Sequence, residues 1–349
     1  METQGIKYAG SKRRIIPHIL HALSETEGVR TVLDGFSGST RVAQAFAQSG
    51  LDTTANDVAA WSEVLANCYL KSDKPDSFYA EIFDHLNGLT GVDGWFTEHY
   101  GGLPDDKKKP FQIKNTRKLD AVRDEIDRLG LGFTDKSVVL TALILALDGV
   151  DSTLGHYASY LSEWSARSAK DLVLKLPKRF AVTTENTVLR GDVLDAVRGR
   201  AFDLAYFDPP YGSDNAKMPT SRVRYNAYYH LWTTVVLNDK PAVFGKANRR
   251  ADSKDSANPS VFENCRSDVV LSAIERLVSE TDARYVLLSY GAKGRAAKAD
   301  LTDVLSAQGK RLKIIEIDCK RNVMAQMTST EQWMNGGEEY KEYLFLLEK

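Results

Sequence analysis

Residues 201–211 spell AFDLAYFDPPY, an apolar run that ends directly in an acid, two prolines and a tyrosine. The stretch Phe202–Phe207 is typical of a buried strand, because it is short, apolar and bounded by residues that break the chain direction. Proline donates no backbone hydrogen bond, so Pro209 and Pro210 end the strand and stiffen the backbone after it. Open α/β sheets bind their ligands at the carboxyl ends of strands. The sequence therefore predicts that Asp208 stands at the ligand-binding edge of such a sheet.

Two strand–turn–helix units precede this stretch. Val29–Leu33 is a short apolar run, followed by the turn DGFSGS at residues 34–39 and a predicted helix over Thr40–Gln48. Leu51–Ala55 is a second predicted strand, which ends in Asn56 and Asp57 before another helix begins. Alternation of strands with helices predicts a doubly wound, mostly parallel sheet.

The alternation is interrupted between Phe78 and Pro177, where helical periods predominate, most clearly in Ile113–Leu129 and Lys136–Asp148. We interpret this part as an inserted, mostly helical module. Strands and helices then resume. The predicted strands are Thr187–Leu189, Phe202–Phe207, Tyr285–Ser289, Leu312–Ile317 and Tyr343–Leu347, and the predicted helices are Tyr225–Leu237 and Ser267–Ser279. The predicted division is an α/β domain in two parts, residues 1–75 and 181–349, with the insert at residues 76–180.

The composition limits the class of protein. With 43% hydrophobic and 27% charged residues among 349, the chain is an ordinary globular one. Its formal net charge of -1 argues against a strongly basic nucleic-acid coat, although local patches can still bind nucleic acid. We expect a cytoplasmic protein without membrane contact, since no signal peptide or bilayer-length apolar run is visible. The three cysteines lack CxxC spacing and no His/Cys ligand cluster is present, so we assign no metal.

The chemistry predicted for Asp208 is activation of an aromatic exocyclic amine. Such an amine is a poor nucleophile because its lone pair is delocalised into the ring. The Asp208 carboxylate and the Pro209 carbonyl can accept both amine hydrogens, which favours a pyramidal nitrogen with a directed lone pair. Tyr211 can stack on the base, an interaction of roughly 1–3 kcal/mol. The alternative interpretation is a plain helix-entry or turn sequence.

The acids at the other strand ends suggest a cofactor site. Glycines in the turn after Asp34 allow close approach of a ligand, and the following helix N-terminus suits an anionic group. The turn lacks GxGxxG, which argues against a nicotinamide cofactor. Asp57 is suited to ribose hydroxyls and Asp192 to an adenine amine, but either can instead cap the next helix.

Taken together, these motifs resemble the Dam-like (alpha-group) adenine-N6 DNA methyltransferases, and especially those of type IIS restriction systems. The segments that carry the resemblance are KYAGSK at 7–12, DGFSG at 34–38, DGVDSTLGHY at 148–157, DPPY at 208–211, YNAYYH at 225–230 and YKEYLF at 340–345. The resemblance implies a Rossmann-like methyltransferase fold with a doubly wound, mostly parallel seven-stranded sheet. It also implies S-adenosylmethionine as cofactor and the insert as the DNA-recognition domain.

The family pattern assigns roles to individual residues. The resemblance implies that Tyr8 and Lys12 lie by the methionine end of the cofactor and that its pocket is lined by Asp34, Phe36, Ser37 and Gly38. It implies that Asp57 holds the ribose of the cofactor and Asp192 its adenine amine. The target base would be held by Asp208, Pro209, Pro210 and Tyr211. The expected partners are double-stranded DNA and a cognate restriction endonuclease. We expect a monomer or weak dimer.

DNA binding requires that the target adenine be flipped out of the duplex and that cations contact the phosphates. The candidate cations are Arg222, Arg224, Lys107, Lys109 and Arg249. Arg222 and Arg224 are favoured, because their short distance in sequence from Pro210 keeps them near the site. For each basic cluster the alternative is an ordinary solvated surface.

Other functions remain open at this point. The same Asp-Pro-Pro-Tyr element serves RNA adenine methyltransferases, although the long insert favours DNA. Cytosine-N4 methyltransferases more often have Ser at the first position of this motif, where this chain has Asp208, so cytosine-N4 methylation is a smaller possibility. A catalytically silent DNA-binding subunit would show a broken motif or cofactor turn, and both are intact here. An oxidoreductase is disfavoured by the turn sequence.

Overall fold

The computed structural model describes residues 2–106, 109–212, 224–254, 260–319 and 340–349. Its strands are β1 (Thr31–Asp34), β2 (Asp52–Asp57), β3 (Gly101–Gly102), β4 (Phe111–Gln112), β5 (Thr187–Arg190), β6 (Ala201–Phe207), β7 (Val243–Phe244), β8 (Arg249–Arg250), β9 (Asp282–Gly291), β10 (Arg311–Cys319) and β11 (Tyr340–Glu348). Its helices are α1 (Ile16–Ser24), α2 (Arg41–Gln48), α3 (Ala60–Leu70), α4 (Asp76–Gly88), α5 (Trp95–Tyr100), α6 (Ile113–Arg128), α7 (Phe133–Val150), α8 (Val193–Val197), α9 (Tyr225–Tyr228), α10 (His230–Leu237), α11 (Ser267–Glu280) and α12 (Lys298–Ser306).

Seven strands form one sheet in the order β10-β11-β9-β6-β1-β2-β5. The pairs among β9, β6, β1, β2 and β5 are parallel, whereas β11 runs antiparallel to both of its neighbours. The predicted doubly wound, mostly parallel seven-stranded sheet is therefore confirmed.

The strand order brings the four predicted acids to one edge. β6, β1, β2 and β5 are consecutive neighbours in the sheet and all point the same way. Asp34 and Asp57 end β1 and β2, Asp208 directly follows β6, and Asp192 comes shortly after β5. The four carboxylates thus stand in a row along the carboxyl edge, in the order 208, 34, 57, 192.

The central strands are apolar on both faces because helices cover both sides of the sheet. Leu33 and Phe207 point into one core, which α11 and α12 complete. Val32 and Leu204 point into the opposite core, against α1 and α2. The uninterrupted apolar run Leu204–Phe207 before Asp208 follows from this double burial.

The insert is mostly helical, and its helices share a core with the α/β domain. Trp61 and Leu65 of α3 pack in the same cluster as Leu143 of α7 and Trp232 of α10. The predicted boundaries at residues 76 and 180 therefore do not separate two hydrophobic cores.

Buried Arg123 of α6 strengthens this connection. Its guanidinium donates to the backbone carbonyls of Val235 at 2.5 Å and Val236 at 3.0 Å, near the end of α10. It also lies 2.9 Å from the carboxylate of Asp127. Carbonyls in the last turn of a helix lack partners within that helix, so Arg123 supplies one from another element.

Some local details differ from the expectations. The predicted helix over Tyr225–Leu237 is broken at Tyr229, whose φ of -113° and ψ of 21° separate α9 from α10. The polar segment after α10 contains the short hairpin β7–β8. Helix α12 was not predicted, because Leu301 and Leu305 alone form its fully buried face and most of its other residues are polar. Within the described residues, no helix combines the length and apolar character needed to cross a membrane.

Replacing Arg123 with Met is expected to lower the free energy of unfolding by about 3 kcal/mol, because one buried and one partly buried carbonyl lose their donor and Asp127 loses its cationic partner. Urea denaturation followed by circular dichroism measures the change. Arg128→Met is the matched control, since that side chain on the same helix is 71% exposed and is expected to cost less than about 0.5 kcal/mol. Equal effects of the two substitutions would contradict a bridging role for Arg123.

Candidate active site

The turn after β1 is held to its neighbouring strands by backbone hydrogen bonds. The Gly35 amide donates to Tyr206 and the Ser37 amide to Asn56, each at 2.9 Å. The Gly38 amide donates to Asp57 Oδ2 at 2.8 Å. Gly38 has φ of +46°, and a Cβ there would lie 3.0 Å from the Tyr8 hydroxyl. Glycine is required at this position both by its backbone conformation and by the close approach of Tyr8.

Asp34 ends β1 with a carboxylate that is only 1% exposed. Neither of its oxygens has a hydrogen-bond partner within bonding geometry, although the amides of Ala43 and Phe36 face it and favour the ionised form. Burial, assisted by nearby Asp208, raises the pKa of Asp34 well above its usual range. An unpartnered buried carboxylate is costly, and a cationic ligand would compensate it.

Asp192 caps α8, the alternative considered from the sequence, whereas Asp57 precedes the N-cap residue of α3, Ala59, and does not cap that helix. Asp57 Oδ1 accepts from the Ala59 amide at 2.9 Å, and Asp192 Oδ1 accepts from the Leu194 amide at 2.8 Å. Burial raises the pKa of Asp57. A carboxylate offers about four acceptor positions, so these contacts leave each acid able to accept from a ligand.

Aromatic side chains surround the turn. Tyr8 stacks on Tyr229 with ring centroids 4.8 Å apart, which places its ring against Gly38. On another side, Phe36 meets Phe262 edge-on at 5.1 Å. The structure thus brings Tyr8 and Phe36 against the turn that contains Gly38, and Ser37 is buried in the same turn with its hydroxyl 3.2 Å from that of Ser62.

Lys12 lies apart from that turn, against the Asp-Pro-Pro-Tyr motif. Its ammonium is 2.8 Å from Asp208 Oδ1 and 3.2 Å from Glu342 Oε1. Burial raises the pKa of Asp208 to about 6, the positive charge of Lys12 opposes this rise, and the negative charge of Glu342 adds to it. Lys12 therefore favours the ionised, hydrogen-accepting form of Asp208.

Tyr211 is turned toward Asp208. Its hydroxyl donates to Asp208 Oδ1 at 2.6 Å and contacts Glu342, while its ring packs on Tyr290 at 4.7 Å. Pro209 is buried and Pro210 half-buried between these groups. Stacking of Tyr211 on a target base stays a prediction, and it requires the ring to turn away from this arrangement.

The candidate DNA-binding cations are dispersed. Arg222 and Lys107 lie outside the described residues. The Arg224 guanidinium faces Glu263 at 3.9 Å, and that of Arg249 lies 4.6 Å over the Phe244 ring. Lys109 is half-buried beside Gly102. The role of each in DNA binding stays a prediction.

Sequence reasoning did not identify Glu342, Ser289 or Phe262 as site residues. Glu342 had a detectable signal: it is an acid one residue before the predicted strand Tyr343–Leu347, and it alternates with the buried residues Leu344 and Leu346. Ser289 and Phe262 gave none, because their positions follow from the strand order and from the packing of an irregular loop. Among the described residues, no group of three or more His, Cys, Asp or Glu side chains could hold a metal ion.

Residues 8–294 match the model of the D12 class of N6 adenine-specific DNA methyltransferases. The chain belongs to this family. The resemblance seen in the motifs is thereby confirmed, and the protein is an adenine DNA methyltransferase. The D12 class match includes the turn at residues 34–39, the helices between residues 76 and 180, and Asp208.

Individual relatives agree with the D12 class assignment. The chain is 25% identical to the type II methyltransferase M.NlaIII of Neisseria lactamica, over 99% of both chains. It is 27% identical to the modification methylase StsI of Streptococcus sanguinis, over 86% of this chain and 46% of that one. For the type II methyltransferase M.FokI of Planomicrobium okeanokoites the identity is 22%, over 87% and 47%. The chain thus spans nearly all of the first relative and about half of the other two.

The methylation rate is expected to fall on the acid side with a midpoint near pH 6, because protonation of Asp208, whose pKa is raised to about 6, removes its negative charge and part of its acceptor capacity. The measurement is kcat/KM for methylation of unmethylated DNA between about pH 5 and pH 8, with circular dichroism confirming that the protein stays folded. In Asp208→Asn, which cannot titrate there, residual activity is expected to lack this acid limb. An unchanged limb in that variant would assign the titration to another group.

Proposed function

We propose that this adenine DNA methyltransferase is site-specific, takes its methyl group from S-adenosylmethionine and acts on an adenine flipped out of duplex DNA. The observation that carries the proposal is the adjacency of β6 and β1. Asp208 follows one strand and Asp34 ends the other, so a target-base site and a cofactor site share one stretch of the sheet edge.

The residues around Asp34 fit the proposed cofactor. The buried, unpartnered Asp34 carboxylate suits the ammonium of the methionine moiety. The Gly38 turn allows close approach of a ligand, and Asp57 beside it suits ribose hydroxyls. Asp192, farther along the edge, suits the adenine amine. We assign Tyr8, Phe36 and Ser37 to the walls of this pocket, and Lys12 to the boundary between the cofactor and the target base.

The residues around Asp208 fit activation of adenine N6. S-adenosylmethionine, when bound, supplies an electrophilic methyl group. The ionised Asp208 carboxylate and the Pro209 carbonyl each accept one amine hydrogen, which directs the nitrogen lone pair toward the cofactor side. Lys12 keeps Asp208 ionised. The methylated, positively charged amine is a strong acid, so its proton can leave to water without a strong base.

The same proposal extends to how DNA is bound and to the biological role of the enzyme. Flipping the adenine costs a few kcal/mol, which phosphate contacts offset. We assign these contacts to Arg224, Lys109 and Arg249, together with Arg222 and Lys107, and sequence reading to the insert. The names of the relatives support a role as the modification enzyme of a restriction-modification system with a cognate endonuclease. We place the enzyme in the cytoplasm as a monomer or weak dimer.

Purified protein incubated with labelled S-adenosylmethionine and unmethylated genomic DNA is expected to produce N6-methyladenine, identified by digestion and nucleoside analysis. Asp208→Ala is expected to abolish the label, because the amine loses its charged acceptor. Asp195→Ala, at an acid that is 70% exposed, is the matched control and should retain activity. Label in RNA alone, in N4-methylcytosine, or in no nucleic acid would each contradict the proposal.

Cofactor binding can be tested without catalysis. Isothermal titration calorimetry of Asp34→Asn with S-adenosylmethionine is expected to show at least about ten-fold weaker binding, equivalent to ~1.4 kcal/mol, because the charged partner of the ammonium is lost. Asp195→Asn serves as the control and should bind as the wild type does. Unchanged affinity in the Asp34 variant would remove that residue from the cofactor site.

A further inference from the structure

Glu342 lies within β11, which enters the sheet beside β9 and far from the Asp-Pro-Pro-Tyr motif in sequence. Its side chain is 6% exposed. It accepts a hydrogen bond from Ser289 Oγ at 2.9 Å, contacts the Tyr211 hydroxyl, and lies 3.2 Å from the Lys12 ammonium. Two of these three partners also contact Asp208 directly.

We propose that Glu342 is a positioning residue for methyl transfer: its carboxylate holds Lys12 and draws the Tyr211 hydroxyl away from Asp208, which leaves Asp208 free to accept from the target amine. The proposal rests on the proposed function, since it assumes that Asp208 receives an amine hydrogen. Glu342 itself does not contact the target base in this scheme and acts through its neighbours.

The hydroxyl of Tyr211 explains why a second acceptor is useful. A tyrosine hydroxyl carries one hydrogen, so it can donate to Asp208 or to Glu342, but not fully to both. While Tyr211 donates to Asp208 Oδ1, it occupies a second acceptor position on an oxygen that already faces the Lys12 ammonium, which leaves that oxygen less able to accept from the amine. When the amine approaches, transfer of this hydrogen bond to Glu342 restores that capacity without leaving the buried hydroxyl unsatisfied.

The ammonium of Lys12 is held by electrostatic attraction from two sides. Two buried carboxylates, those of Asp208 and Glu342, flank the same ammonium at 2.8 and 3.2 Å. The attraction of each carboxylate for Lys12 limits how far the ammonium can move toward the other. Glu342 therefore fixes the position from which Lys12 keeps Asp208 ionised.

The charged and titratable groups around Asp208 come from several elements. Lys12 precedes α1, Glu342 is on β11 and Tyr211 follows β6. Asp34 on β1, Tyr206 on β6 and Tyr8 also interact electrostatically with Asp208. The pKa of Asp208 is raised by the negative charge of Glu342 and lowered by the positive charge of Lys12. Neutralising Glu342 and neutralising Lys12 should therefore move the pKa of Asp208 in opposite directions.

The test compares kcat, KM and pH profiles of full-length variants acting on unmethylated DNA. In Glu342→Gln, kcat at neutral pH is expected to fall about ten-fold, because the amide oxygen still accepts from Tyr211 but carries no charge. In Glu342→Ala the fall is expected to reach about one hundred-fold. Ser289→Ala should lower kcat by a smaller factor than either Glu342 substitution. The KM for S-adenosylmethionine should change little in all three variants.

The pH profile separates positioning from a structural role. The acid limb is expected to move to lower pH in Glu342→Gln and to higher pH in Lys12→Gln. Glu348→Gln, on the same strand but paired with Arg311 at the surface, is the matched control and should match the wild type. A loss of kcat in Glu342→Gln with an unmoved acid limb would overturn the proposal, as would unchanged kcat and an unchanged limb.

Two further measurements distinguish a misfolded variant from a folded variant that has lost activity. Thermal unfolding and calorimetric binding of S-adenosylmethionine show whether each variant is folded, and if Glu342→Ala is not, Glu342→Gln and Ser289→Ala decide the question. Failure of the proposed function would show as a wild type that does not form N6-methyladenine. Failure of this inference would show as an active wild type, an inactive Asp208→Ala variant and a Glu342→Gln variant that behaves as the wild type does.

Discussion

The ion pair between Lys12 and Asp208 is the interaction on which the arrangement of the site depends. Asp208, Asp34 and Glu342 are carboxylates gathered in a partly dehydrated region, where like charges repel strongly. Lys12 supplies the opposing charge, but it precedes the first strand in sequence. The chain must therefore cross the sheet edge before it enters the sheet. Arg41 and Gln44 of α2 hold residues 3–5 by backbone contacts, and Lys7 pairs with Asp151 of the insert at 2.5 Å.

The sequence predicts the sheet edge well because its chemistry is local. An apolar run followed by an acid and a turn marks a strand end, and this pattern correctly located Asp34, Asp57 and Asp208. The prolines after Asp208 made the last of these especially clear. The partners of Asp208 are less predictable, since the insertion of β11 between β10 and β9 is a property of the whole sheet. For the same reason the direction of Tyr211 could not be deduced, because it depends on Glu342.

The relation between the insert and the α/β domain shows a second limit of sequence patterns. Helix α3 is buried almost all round, with the sheet on one side and α7 on the other. A helix with apolar residues on every face does not show from its own periodicity what covers each face. The change from alternating strands to helices therefore predicted an insert along the chain, but it did not show that the helices there complete the core around α3. Arg123 adds a polar connection to that shared core.

The row of acids along the sheet edge also affects which charged groups can approach that edge. Four carboxylates stand side by side, and burial raises the pKa of Asp34, Asp57 and Asp208. A phosphate group brought there would meet negative charge, whereas an uncharged base would not. Under the proposed function, such an edge would discriminate between the two parts of a nucleotide, keeping the polyanionic backbone outside while a nucleobase enters. A methyl donor with a sulfonium centre would be attracted, and the uncharged thioether left after transfer would be held less strongly, which favours exchange of spent cofactor for fresh.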